Sequence, residues 1–236
     1  ESLEIEKQIE ELSPWYQALD FGNGIVTKGG THPSKIFTLI EPFLPSKLDG
    51  LKVIDSGCNA GGVGVEFAKR GAQVIGIDAI ASCINQAHFY KNTMAMDNIE
   101  FFKDSVFNLH KYASCDVLLV LGMVYHFRNP QLFLDYVCNI KATTYVISSQ
   151  IRQGSNLVLY NREEFHRINK MQGWEATLPM FMMMLEDSGF TDIQHISPPV
   201  GEKGYTNNGY FICKSGAPRK IDVHQVGSMY GLVAPA

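Results

Sequence analysis

The chain has 236 residues, 45% hydrophobic and 19% charged, with a formal net charge of -4 at neutral pH; that is enough for one α/β domain with a full core plus helical additions, and too little for two equal domains. No run of lysine or arginine supplies the basic face usual in nucleic-acid-binding domains, which disfavours a tRNA or DNA partner, and no apolar stretch or signal peptide suggests a membrane. A soluble cytoplasmic protein is expected. The five cysteines, Cys58, Cys83, Cys115, Cys138 and Cys213, are odd in number and scattered, which fits neither a disulfide framework nor a zinc site.

Residues 3–12 alternate apolar and charged positions with helical spacing until Ser13 and Pro14 stop them. The next segment, 15–30, is aromatic at one end and glycine-rich at the other and reads as a lid. A helix over 33–44 ends at Pro45, so residues 1–47 form an expected N-terminal helical cap. The main domain, 48–215, then alternates: strand 53–55, helix 62–70, strand 74–77, helix 81–93, strands 99–102 and 117–121, helix 131–138, strand 145–148. Such alternation demands a mostly parallel sheet with helices on both faces. After Gln150 a polar stretch, about 151–176, reads as an insertion covering the active-site edge, with 161–164 as a loop or helix start. A helix over 178–188 follows, its run of Met180, Met182, Met183 and Met184 suited to filling core gaps, with Gly189 as its C-cap. The long connection between strands 192–196 and 210–214 allows an antiparallel pairing at the sheet edge. Residues 216–236 have no clear period and read as a C-terminal arm that could pack on a partner subunit in a homodimer.

The most informative run joins the first strand to the first helix of the domain. A buried strand ends at Asp55, and the chain then passes through Gly57, Cys58, Asn59 and Gly61 into a helix. Gly57 and Gly61 carry no Cβ, so the backbone can approach a ligand closely, and the helix start offers free N–H groups. The second strand ends at Asp78, roughly twenty residues on, where a carboxylate can take both hydroxyls of a ribose. The spacing is not G-x-G-x-x-G, since only Gly57 and Gly61 fall in register.

The pattern D-x-G-C-N-x-G resembles the first motif of the class I S-adenosylmethionine (SAM) methyltransferases. The resemblance implies a Rossmann-like α/β fold: a mostly parallel seven-stranded sheet, helices on both faces, and an antiparallel edge strand. Further matches run through Trp15 and Tyr16, Gly24-x-x-Thr27-x-Gly29, Leu121 to Pro130 and Leu185 to Phe190. Together they look like the CmoB-like methyltransferases, the family of the tRNA wobble-uridine carboxymethyltransferase and its small-molecule relatives, over about 15–213. Carried onto this chain, the resemblance places Gly57, Asn59 and Gly61 against the methionine part of SAM and Asp78 with Ala79 at the ribose. It places Asp104 with Ser105 at the adenine and Leu121 with Gly122 beneath the sulfonium. Tyr16, Lys28 and Asp55 are further cofactor positions, and no metal is implied. The tRNA enzyme uses a carboxylated SAM and needs a basic residue near the last strand. Here 206–213 contains no arginine, and the long N-terminal extension of that enzyme is not expected. Plain SAM, with S-adenosylhomocysteine (SAH) as product, and a small acceptor such as a natural product or sugar are therefore expected.

Methyl transfer is an in-line displacement, so the protein must align the acceptor and exclude water. His126, directly after the fourth strand, is the candidate general base because an imidazole titrates near operating pH; the alternative is a structural histidine that caps the strand end. Tyr125 could orient donor or acceptor. Arg128 could offset an anionic group or simply be solvated. Trp15 and Tyr16 could close the site by stacking, with core packing an equal alternative for Trp15. Arg152 and His166 are candidates for binding an acceptor carboxylate or phosphate. A methyltransferase acting on oxygen or nitrogen of a small molecule is the first expectation. A tRNA-modifying transferase and a non-catalytic SAM-binding sensor or partner subunit are the alternatives.

Overall fold

The computed structural model describes residues 2–161, 173–205 and 207–216. Helix α1 (Ser2–Glu11) leads through an irregular segment to α2 (Pro33–Ile40). There follow β1 (Lys52–Ser56), α3 (Gly62–Ala68), β2 (Gln73–Asp78), α4 (Ala81–Thr93), β3 (Ile99–Lys103), β4 (Cys115–Leu121), α5 (Pro130–Cys138) and β5 (Ala142–Ser149). Three short strands, β6 (Ile151–Arg152), β7 (Leu159–Asn161) and β8 (Trp174–Thr177), precede α6 (Leu178–Ser188), β9 (Phe190–Ile196) and β10 (Gly209–Ser215).

Seven strands form one sheet in the order β3-β2-β1-β4-β5-β10-β9. All pairings from β3 to β5 are parallel, and β10 runs antiparallel to both neighbours. The antiparallel pair thus lies at the sheet edge as expected, with β10 one place in and β9 outermost. Strand periodicity sorts successive side chains to opposite faces. Val53, Val117, Leu119, Val146, Tyr210 and Ile212 join α2, α3 and α4 in one core. Ile54, Leu118, Val120, Tyr145, Ile147 and Phe211 join α5 and α6 in the other. Both faces being covered explains why these strands read as continuous apolar runs.

One expectation is corrected by local chemistry. The helix expected over 33–44 is α-helical only to Ile40, after which Glu41–Phe43 tightens into a 3-10 turn, since Pro42 has no N–H to continue the ladder. Within the described part of the expected insertion, β6, β8 and β7 form a small sheet in that order, while 162–172, and with it most of the expected loop or helix start at 161–164, lies outside the described residues. Strands of two to four residues are too short to show a period in sequence. Gly189 ends α6 in the left-handed conformation (φ 98°), as its C-cap position requires. Met184 is buried, and Met180 and Met182 pack on the same core. All five cysteines are buried free thiols.

The segment between α1 and α2 is fastened to the domain. Gln86 on α4 donates from Nε2 to the carbonyls of Leu12 (2.7 Å) and Pro14 (2.9 Å), and the Tyr90 hydroxyl donates to Asp20 O (3.1 Å). Trp15 is core: its indole N–H donates to Ile9 O at 2.7 Å and its ring meets Phe21 edge-on at 6.2 Å. Among the described residues no helix is long and apolar enough to cross a membrane.

Asp55 is 3% exposed on β1, its Oδ2 accepting the Gly64 N–H at 3.1 Å from the start of α3. Burial pushes its carboxyl up to about 7, an effect opposed by the Gly64 N–H and reinforced by Asp78. The folded state therefore holds this proton more tightly than the unfolded chain. The resulting stability is full below about pH 4 and is lost as pH rises to about 7, a change on the order of 4 kcal/mol. Asp55→Asn keeps an acceptor for Gly64 without the charge, so it should be more stable than the parent at pH 8, with the difference shrinking toward pH 5. Urea denaturation at the two pH values tests this, and an equal difference at both would contradict it.

Candidate active site

Beyond β1 the loop contains three left-handed residues, Gly57 (φ 66°), Asn59 (φ 52°) and Gly61 (φ 79°). Space as well as backbone favours glycine at two of them: a Cβ on Gly61 would collide with the Phe101 ring, and one on Gly57 would displace the Met123 side chain. The amides of Gly57 and Cys58 both donate to Ile77 O (2.8 and 3.0 Å), which ties the loop to the end of β2. Asn59 tolerates its conformation because its Oδ1 accepts the Ala60 N–H at 2.8 Å.

Asp78 draws three strand ends together. Its Oδ2 accepts the Asn59 N–H (2.9 Å), its Oδ1 accepts the Ile80 N–H (2.9 Å), and its carbonyl accepts the Asp104 N–H (3.1 Å). Ala79 beside it is exposed. Asp104 is held by its own turn: Oδ1 accepts from the Asn108 amide and the Ser105 N–H (2.8 Å), and Oδ2 accepts from the Tyr112 hydroxyl (3.0 Å). These donors, Asn108 foremost, hold its carboxyl below the usual carboxylate range. Ser105 also caps the following 3-10 turn, its Oγ accepting the Phe107 N–H.

At the end of β4, Gly122 (φ 70°) follows half-buried Leu121 and donates its N–H to Ser148 Oγ at 2.9 Å. The next turn, Val124–His126, places Tyr125 in the core and His126 beside it, with ring centroids 4.2 Å apart. Burial pushes the Tyr125 phenol up, with smaller contributions from Tyr16 and Tyr210, so it remains a neutral hydrogen-bond donor at physiological pH. Contact of Met123 with Gly57 puts this turn against the glycine loop.

The structure therefore brings together Gly57, Asn59, Gly61, Asp78, Ala79, Asp104, Ser105, Leu121 and Gly122, with Tyr125 and His126 on the adjoining turn. Asp55 lies beneath the loop, facing α3. Tyr16 is half-exposed on the cap and Arg128 is exposed beyond His126. Lys28 instead lines a recess with Glu6, Glu10 and Trp15 between α1 and the following segment. Arg152 is paired with Glu175 at 3.6 Å and lies over the Tyr160 ring at 4.4 Å. His166 and the arm beyond Gly216 lie outside the described residues.

Sequence reasoning missed two residues. Gln17, 7% exposed, reaches from the cap to the glycine loop: its Oε1 accepts the Gly62 N–H at the start of α3 (3.0 Å) and its Nε2 donates to Cys58 O (3.4 Å). A buried amide in an aperiodic segment gives no pattern to find it by. Ile80, two residues after Asp78 and bonded to it through its N–H, is 55% exposed, an apolar face left open beside that carboxylate. Its exposure belongs to the fold and is invisible in the sequence.

Known proteins resemble the chain. The ubiquinone biosynthesis O-methyltransferase of Leptothrix cholodnii is 35% identical over 86 residues, 36% of this chain and 37% of that protein. The corresponding protein of Rickettsia felis is 27% identical over 153 residues, covering 64% and 61%. The chain thus spans little more than a third of the length of the first relative. Among solved structures, the N-terminal domain of EvdMO1, crystallised in the presence of SAH and D-fucose, superposes with a TM-score of 0.67 at 17% identity, covering 93% of this chain and 97% of that one. The magnesium protoporphyrin IX methyltransferase of Synechocystis, crystallised with SAM, gives a TM-score of 0.54 at 15% identity over 78% of each chain. At these identities the likeness is one of fold. A family model described as a methyltransferase domain matches residues 47–191, and with more than half of its length inside that match the chain belongs to the methyltransferase domain family.

Proposed function

We propose that the protein transfers the methyl group of SAM to an oxygen or nitrogen of a small-molecule acceptor. The observation that carries this reading is the convergence of β1, β2 and β3 on Asp78 beside a loop of three left-handed residues. The donor set fits a purine nucleoside. Each Asp78 oxygen is engaged by one N–H and has a further lone pair for a ribose hydroxyl, Ile80 offers an apolar face for a flat base, and Asp104 is fixed at the adjoining strand end. When bound, SAM supplies an already activated methyl group. The names of the ubiquinone biosynthesis relatives support an oxygen acceptor. Within the family we place the chain with the CmoB-like proteins on the strength of its Leu121 to Pro130 run, and we assign it plain SAM, since 206–213 offers no arginine to a second carboxylate.

The chain's own contribution is then positional. The glycine loop and Asp78 fix the donor, Tyr125 presents a neutral hydroxyl, and Tyr16 on the cap shields the site from water. His126 accepts the acceptor proton. A positioned base of this kind contributes about 10²- to 10⁴-fold.

Asp78→Ala removes a charged acceptor for two hydroxyls and should weaken SAH binding roughly thirty- to a hundredfold by calorimetry; unchanged affinity would remove the nucleotide assignment. Gln17→Ala leaves the Gly62 N–H without its acceptor in a buried site, a loss of about 1–3 kcal/mol. It should lower both the unfolding midpoint and SAH affinity, and an effect on neither would separate the cap from the loop. For His126→Phe, turnover of labelled SAM with a cell-metabolite extract should drop at least a hundredfold while SAH affinity stays within a factor of about two. Full retained turnover would return His126 to a structural role.

A further inference from the structure

A cavity of about 760 Å³ opens beside the β5–β6 step, the start of α6 and the 197–208 connection. That size falls within the roughly 300–1,000 Å³ usual for small-molecule sites. It lies at the same end of the sheet as the glycine loop, where ligands bind in open α/β sheets. A single hydroxyl joins the two places: Ser148 Oγ, fully buried, accepts both the Gly122 N–H and the Asn207 amide, each at 2.9 Å. We propose that this cleft is the acceptor site and that it takes a neutral, polyhydroxylated molecule of the sugar class; the proposal rests on the methyltransferase reading.

The walls are fixed in place. His32, just before α2, donates its N–H to Gly204 O, and Gly204 is packed so closely on the His32 ring that a Cβ would collide with it. Lys35 on α2 reaches the same loop, donating to Lys203 O (3.3 Å) and pairing with Glu202 at 3.5 Å. On the opposite side the Asn208 amide exchanges both of its hydrogen bonds with the Ile151 backbone, in the manner of a strand partner. A cleft tied at this many points needs little reorganisation to receive a ligand.

Its lining carries no net charge: two cations, Arg152 and Lys203, stand against two carboxylates, Glu175 and Glu202, with Arg152 facing Glu175 at 3.6 Å while Glu202 pairs with Lys35. A phosphate or carboxylate therefore meets no net positive charge in the lining. The remaining polar side chains are uncharged, Gln153, Asn207, Ser197, Tyr205 and His195 among them. His195 stacks near Phe211 at 4.9 Å and lies 3.4 Å from Ser197 Oγ, and burial holds its imidazole below its ordinary value, hence neutral. A neutral imidazole has one donor and one acceptor, and a primary amide has both as well; these suit hydroxyls that donate and accept at once. Pro198, Pro199 and Leu178 give the C–H faces of a ring apolar contact. A flat lipophilic ring would bury the same amides unpaired.

Saturation-transfer NMR with methyl glycosides of neutral hexoses, a hexose phosphate and a catechol as competing probes tests the assignment, on the free and the SAH-loaded protein. The glycosides should bind in preference to the other two. His195→Leu should weaken that binding about tenfold or more, the loss of roughly one hydrogen bond, while SAH affinity by calorimetry is unchanged. Gln153→Leu, at an exposed position, should act in the same direction and serves if the first variant fails to fold. Preference for the phosphate or the catechol, no glycoside signal, or glycoside binding that survives both substitutions overturns the proposal. Glycoside binding without any SAH binding would instead overturn the methyltransferase reading and leave the cleft standing.

Discussion

The carboxylate of Asp78 is the constraint on which the site depends. The loop after β1 places three residues within five in the left-handed region, which Gly57 and Gly61 adopt freely but which costs Asn59 roughly 1–2 kcal/mol, in part offset by its own bond to the Ala60 N–H. Asp78, 8% exposed, supplies the compensation by accepting the Asn59 and Ile80 amides while its carbonyl holds Asp104. Hydrogen bonds to a charged acceptor are the stronger kind. Their placement at the ends of three adjacent parallel strands makes the loop a consequence of sheet register rather than an independent element.

The cap gives that register a second anchor. Gln17 reaches the start of α3 and the Cys58 carbonyl, while Gln86 and Tyr90 on α4 grip the same segment from the other side. Gly29 approaches the Gln17 backbone so closely that any Cβ would overlap it, which fixes the path of the segment. Lys35 and His32 then carry the connection on to the loop that walls the cleft. Cofactor loop, cap and cleft therefore form one continuous hydrogen-bonded frame.

Much of this was legible in the sequence because it follows from periodicity and turn chemistry. The parallel strands announced themselves as apolar runs, Gly57 and Gly61 as the glycines of a strand-to-helix turn, and Gly189 as a helix C-cap. What could not be read depends on which distant side chain meets which backbone group. Gln17 looks like any polar residue of an irregular segment until the chain is folded against Gly62. Ile80 looks like a core residue until the fold leaves it open. The strands of the insertion escaped for a different reason: β6 has two residues and β7 three, too few for any period. Arg152 carries a charge suited to an anionic ligand, yet its partner Glu175 is 23 residues along and comes beside it only because β6 pairs with β8.

The fastening of the cap also bears on the order in which the chain can fold as it is made. Its hydrogen bonds join residues 41 to 168 positions apart: Gln17 to Cys58, Tyr90 to Asp20, Gln86 to Leu12, Lys35 to Lys203. Contacts of such separation form slowly, and on a ribosome the later partner does not yet exist when the earlier one emerges. Trp15, Phe21 and Phe37, buried in the finished fold, must therefore wait in contact with solvent or a chaperone until α3 and α4 have left the exit tunnel. The last ties of this region form only when residues 197–205, close to the far end of the described chain, arrive to meet His32 and α2.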